Sequence, residues 1–263
     1  ETYGARAEKE PPDCYYANMD AHYMLMLELA GRLFASERYH KEAERFCQLM
    51  ADALYPDGAF SYHGFQNECF TYHKINVAHL ARYWQLSGSE LARETVVKSR
   101  RYYPYNVEPG GVPEYYTDCF WKHYWGGVSP IGPEIVAGMT GCPQNRRLAK
   151  DELRWENPSH YYAVYAATLY RPDLDAKPLP DQFLIYDENI QGPRGRFGRW
   201  SFAGTTRRAG AGYQGRDTFV GGMVVDKPTR EYPLNAALQV VTNQYRLKPP
   251  RSNPEQANRW REC

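Results

Sequence analysis

From Met19 to about Ser36 the chain reads MDAHYMLMLELAGRLFAS, apolar on nearly every side. Leu25, Leu29 and Leu33 stack at helical spacing, with Met26, Leu27 and Ala30 on the flanks. A helix apolar all round is expected to be buried all round. Arg38 to Tyr55 (RYHKEAERFCQLMADALY) carries Phe46, Leu49, Met50 and Ala53 on one side, the period of an amphipathic helix. A link of only a residue or two makes these an antiparallel hairpin. Pro56-Asp57-Gly58 signals a turn. A third helix begins near Cys69 and breaks at Ser87-Gly88-Ser89. Ser89 can cap a fourth, running to about Tyr103, with Glu90 suited to its first turn. Residues 104–116 read as a loop, followed by helical stretches around 117–125, 131–140 and 158–170.

After Pro172 the texture changes. FLIYD, RWSFAGTTR and TFVGGMVVD read as strands within 183–225, separated by Gly-rich and Arg-rich turns, and a closing helix is expected at 230–242. Helical hairpins packed side by side give an open solenoid or a closed α/α toroid. The absence of a fixed-period repeat favours the toroid, although the hairpins are too few for a full ring. The expected fold is mainly α: an α/α toroid, as an incomplete barrel of antiparallel helical hairpins, with a small late β element, in a single domain over 1–263.

Composition narrows the function. With 263 residues the chain can bury a sizeable core. Lys+Arg and Asp+Glu number 32 and 31, so a polyanion site has to be local and nucleic-acid binding is disfavoured. Aromatic residues make up 15%, with 23 tyrosines and 6 tryptophans. Their apolar faces and polar tips suit sugar rings, and equally suit a Tyr-rich core. None of the six cysteines forms a CxxC pair, so zinc and redox motifs find no support, while disulfides and free thiols both stay open. No apolar run reaches the length of a membrane span. The chain starts at Glu1 without a signal peptide, so a secreted or periplasmic location presupposes a leader absent from it.

Four clusters could carry chemistry. The first is GFQNECFTYHKINVAHLARYW, 64–84, a loop entering a helix. Tyr72, Asn76, His79 and Tyr83 share one face of that helix; His73, Val77, Leu80 and Trp84 share a more apolar one. Asn67 reads as a helix cap or a ligand donor, and His73 as a core histidine or a base. The second, PEYYTDCFWKHYWGG (113–127), sets Tyr115, Tyr116, Trp121, Lys122, His123 and Tyr124 together, as an anionic ring or an aromatic core would require. The third, GPRGRFGRW (192–200), places Arg194, Arg196 and Arg199 among glycines; arginine grips carboxylates with paired hydrogen bonds, and a solvated basic turn looks the same. His160, at a helix start, is the weakest of these candidates. No metal or nucleotide motif appears, and neither metal nor cofactor is expected.

Asn, His, Tyr and Arg without a metal suit β-elimination on a uronic acid polymer. Donors stabilise charge on the carboxylate while a base removes the C5 proton and an acid protonates the departing oxygen. DGAF…NECFTYHKINVAHLARYWQLSG followed by PEYYTDCFWKHYW resembles the α/α-toroid polysaccharide lyases, a group that includes alginate, glucuronan and heparinase-like enzymes. The likeness is best over about 57–127. The resemblance implies Asn67 as carboxylate neutraliser, His73 or His123 as base, and Tyr72 or Tyr124 as proton donor. It also implies an acidic polysaccharide as partner, with Glu68, Tyr115, Tyr116, Trp121, Lys122, His160 and the three arginines lining the substrate groove. The rival readings are a glycoside hydrolase, with acids such as Asp57, Glu68, Glu114 or Asp118, and a non-catalytic polysaccharide-binding protein.

Overall fold

The computed structural model describes residues 16–61, 68, 70–108, 112–113, 129–152, 161–198, 200–204, 218–225, 236–241 and 244–246. The described part is mainly helical, with an antiparallel sheet late in the chain. Helix α1 (Ala17–Phe34) and α2 (Glu37–Asp52) form the first hairpin. Their link is tight because Ala35 turns left-handed, at φ 49°, and Ser36 N–H returns to Gly31 O at 2.9 Å. Buried Glu28 ties the pair, accepting from Arg32 at 2.8 Å and meeting His40 Nδ1 at 2.7 Å.

Helix α3 (Phe70–Ser87) and α4 (Glu90–Ser99) form the second hairpin. Ser89 caps α4 by accepting from the Ala92 N–H. Short α5 (Tyr102–Asn106) leads into the two-residue strand pair β1 (Val107–Glu108) and β2 (Val112–Pro113). Then follow α6 (Ile131–Thr140), α7 (Pro143–Arg147) with a π-turn at Leu148–Glu152, and α8 (Tyr161–Thr168). The expected stretch at 117–125 lies outside the described residues.

The pattern misplaced the centre. Helix α3, with its polar residues, is the hub: it packs on α1, α4, α6 and α8 and buries nine side chains, Tyr83 among them. Helix α1 is not buried all round; Met19, Met26, Leu29, Leu33 and Phe34 are exposed. Its inner face of Ala17, Ala21 and Met24 joins Phe46, Met50 and Leu80 in the core, which continues through Phe60, Val96, Tyr102, Tyr103 and Ile135. No helix among the described residues is long and apolar enough to cross a membrane.

Strands β3 (Gln182–Asp187), β4 (Gly192–Phe197), β5 (Trp200–Gly204), β6 (Thr218–Val225), β7 (Ala236–Val241) and β8 (Gln244–Arg246) form one antiparallel meander in chain order. The β region therefore runs past the expected 183–225. Within the helix expected at 230–242, residues 236–241 instead form β7, which pairs with β6 and β8. Two neighbouring strands outweigh the local helix preference of Ala, Leu and Gln. The first hairpin docks on the helices: Phe183 meets Tyr105 edge-on at 4.8 Å, and Arg196 donates to Val107 O.

Candidate functional site

Glu68 sits at the entrance to α3, with every polar atom hydrogen-bonded inside the protein. Its carboxylate accepts from Phe60 N–H at 2.7 Å and from Asn76 Nδ2 at 2.5 Å, and meets His73 Nδ1 at 2.7 Å. A carboxylate only accepts, which assigns the His73 proton to Nδ1. The Glu68 N–H donates to Asn189 Oδ1 at 2.8 Å. Its carbonyl accepts from Tyr102 OH at 3.2 Å and Asn189 Nδ2 at 3.4 Å.

His73 and Asn76 reach the same carboxylate because they lie three apart on α3, one turn above its start. His73 is 0% exposed, stacked on Tyr102 at 4.0 Å, with Tyr103 edge-on at 4.9 Å and Phe60 at 5.6 Å. Its Nε2 and the Asn76 Oδ1 are buried without a hydrogen-bond partner among the described residues.

A second arrangement adjoins the first through Asn189. The Asn189 N–H donates to Asp57 Oδ2 at 2.7 Å, and Ala59 N–H donates to Asp57 Oδ1 at 2.9 Å. The second bond belongs to the Pro56-Asp57-Gly58 turn. Gly58 stands there at φ +95°, where a Cβ would meet the Ser99 carbonyl at 2.9 Å. Asp57 also shares a hydrogen bond with Asp187, which is held by Arg194 Nε at 2.5 Å. Burial, then the Asp187 charge and hydrogen bond, push the Asp57 carboxyl up to about 7. Burial works to raise Asp187 too, but the Arg194 charge and the Asp57 hydrogen bond hold it below the usual range. Asp57 and Asp187 line an open cleft of about 190 Å³ between the 56–57 turn, α5 and β3.

The expected site residues separate into three groups. Glu68 and His73 come together, but against each other. Glu68, 3% exposed and fully bonded, is not a substrate contact, and His73 is sealed under aromatic rings rather than poised as a base. Arg194 and Arg196, expected to grip substrate, are 3% and 4% exposed. Arg194 neutralises Asp187, and Arg196 donates to the carbonyls of Pro180 and Val107. Tyr72 is half-buried on α3. His79 turns the other way, toward His22 and Tyr162, with Nδ1 on Ile75 O at 2.8 Å. Asn67, Tyr115, Tyr116, Trp121, Lys122, His123, Tyr124, His160 and Arg199 lie outside the described residues.

Asn189, Asp187 and Tyr102 belong to the arrangement without a signal in the sequence. In YDENI the Asp and Asn look like ordinary turn formers after a strand, and only the long-range contact distinguishes them. Among the described residues, no three His, Cys, Asp or Glu side chains converge as metal ligands. Cys47 and Cys142 are free thiols. No protein-family model, curated protein or solved structure matches the chain.

Proposed function

We propose that the chain is a polysaccharide lyase that cuts a uronic-acid-containing polymer, of alginate or glucuronan type, by β-elimination. The scaffold we assign it is an α/α toroid built as an incomplete ring of helical hairpins.

The observation that carries the reading is the immobilisation of Glu68. A buried carboxylate that relies on neutral donors and a histidine is costly, and an apolar side chain would fill the same space more favourably. Such a departure from good packing is expected where position matters more than stability. What it fixes is the backbone immediately after Asn67, the residue assigned to the uronate carboxylate. Elimination needs that donor held still, because its worth lies in meeting charge that develops only as the C5 proton leaves.

With His73 enclosed, the base role falls to His123, and the proton donor is Tyr72 or Tyr124. The base takes the proton from C5, and the C5–H electron pair becomes the C4–C5 double bond. The C4–O bond breaks, and the departing glycosidic oxygen takes the proton of the tyrosine. His73 acts one step back, holding Glu68.

A glycoside hydrolase would need two carboxyls roughly 5–9.5 Å apart to flank the scissile bond. Asp57 and Asp187 share a hydrogen bond and are too close to be that pair, and the other candidate acids Glu114 and Asp118 lie outside the described residues. Product masses test the reading. Fragments from elimination sum to the mass of the parent polymer, whereas each hydrolytic cut adds one water. Asn67→Ala and Tyr124→Phe are expected to lower kcat by roughly a hundredfold or more. Water gained at each cut, or full activity in both variants, would overturn it.

A further inference from the structure

We propose that the cleft between the 56–57 turn, α5 and β3 binds one uronate residue, with the sugar carboxylate on Arg101 and the ring hydroxyls among the carboxyls of Asp57 and Glu188. The ligand class rests on the lyase reading; the site rests on its own geometry.

Arg101 is exposed, and its guanidinium lies over the Tyr105 ring, 5.0 Å from the centroid. Tyr105 is itself braced by Phe183. Among the described residues Arg101 has no carboxylate partner. Stacking occupies the guanidinium face and leaves its edge N–H groups able to hold a carboxylate with two bonds. An arginine already oriented in this way loses less freedom on binding than one waving in solvent.

The opposite wall suits the rest of a pyranose. Tyr186 is 63% exposed and offers an aromatic face to the ring C–H groups. At about 190 Å³ the cleft is smaller than the roughly 300–1,000 Å³ of drug-sized pockets, so it fits a single ring. Acidic neighbours do not forbid an anion here. At pH 6 Asp57, raised to about 7, keeps its proton and gives its hydrogen bond to Asp187, whose charge Arg194 answers. That balance fails as Asp57 ionises above pH about 7, so uronate binding is expected to weaken between pH 6 and pH 8.

The test uses the full chain at pH 6 and saturation-transfer NMR with methyl glucuronoside, which has no 4-linked group to eliminate. Methyl glucoside is the neutral control. The uronoside is expected to bind and the glucoside not. Arg101→Ala is expected to weaken uronoside binding roughly tenfold or more, with Arg101→Lys between the two. Arg101 is exposed, so an unchanged circular dichroism spectrum is expected in both variants. Absence of uronoside binding, equal binding of the glucoside, or undiminished binding by Arg101→Ala would each overturn the assignment. Binding is scored without turnover, which separates the two ideas. Arg101-dependent binding without elimination sinks the lyase and keeps the cleft; elimination with no Arg101-dependent binding does the reverse.

Discussion

Asn189 makes the two-point contact that a paired strand would make, but with a side chain. Its amide oxygen takes the Glu68 N–H, and its amide nitrogen gives to the Glu68 carbonyl. It sits in the β3–β4 turn, 121 residues away in sequence, and its own N–H holds Asp57. One residue thus joins the sheet, the Asp57 turn and the start of α3. Asn189→Ala strands a buried N–H and loosens a buried carbonyl, at an expected cost of about 1–3 kcal/mol in urea unfolding. Hydrogen exchange at the Glu68 amide should quicken by more than that global loss accounts for. Native-like exchange there would show that Asn189 is not what holds Glu68. The sequence marked Glu68 and His73 as part of a site but turned them toward substrate. Periodicity says which residues share a helix face. It does not say whether that face meets solvent or an amide from another layer.

Local signals were legible at the scale of elements, and long-range ones were not. The Ser89 cap and the helix at 131–140 follow from residues within a turn of each boundary, and both are present. The β7 strand depends on β6 and β8, and the burial of α3 depends on four other helices. A polar helix can be the hub when its polar groups bond internally, as Asn76 does to Glu68 and His79 to Ile75 O. The α1–α3 contact has a consequence for acid stability. Burial lowers His79 to about 4, with the neighbouring His22 charge working in the same direction against the Ile75 carbonyl. The folded state therefore prefers neutral His79. The stability from this preference is fully present above the ordinary histidine value of 6.5 and is lost as pH falls toward 4. It amounts to about 3 kcal/mol. Urea midpoints at pH 7 and pH 4.5 should fall less in His79→Gln than in the native chain. The same fall in both would place the acid sensitivity elsewhere.

Across the whole molecule, two layers meet at one junction. The helical part and its turns supply Asp57, Glu68, His73 and Tyr102, and the meander supplies Asp187, Asn189 and Arg194. The cleft opens at that junction, with Asp57 and Asp187 in its lining. The late β element is thus more than an appendage, since its first hairpin completes the polar interior of the helical part. This arrangement was legible only in outline. Helices first and strands later follow from pattern, whereas their meeting depends on pairs of residues more than a hundred positions apart. Elimination leaves its own chromophore, which ultraviolet absorbance over time follows. The chain is mixed with alginate, glucuronan and a set of glycosaminoglycans, each in turn. A rise is expected with at least one of them, from a C4–C5 double bond conjugated to the uronate carboxylate. A flat trace with all of them, while new reducing ends accumulate, would contradict it.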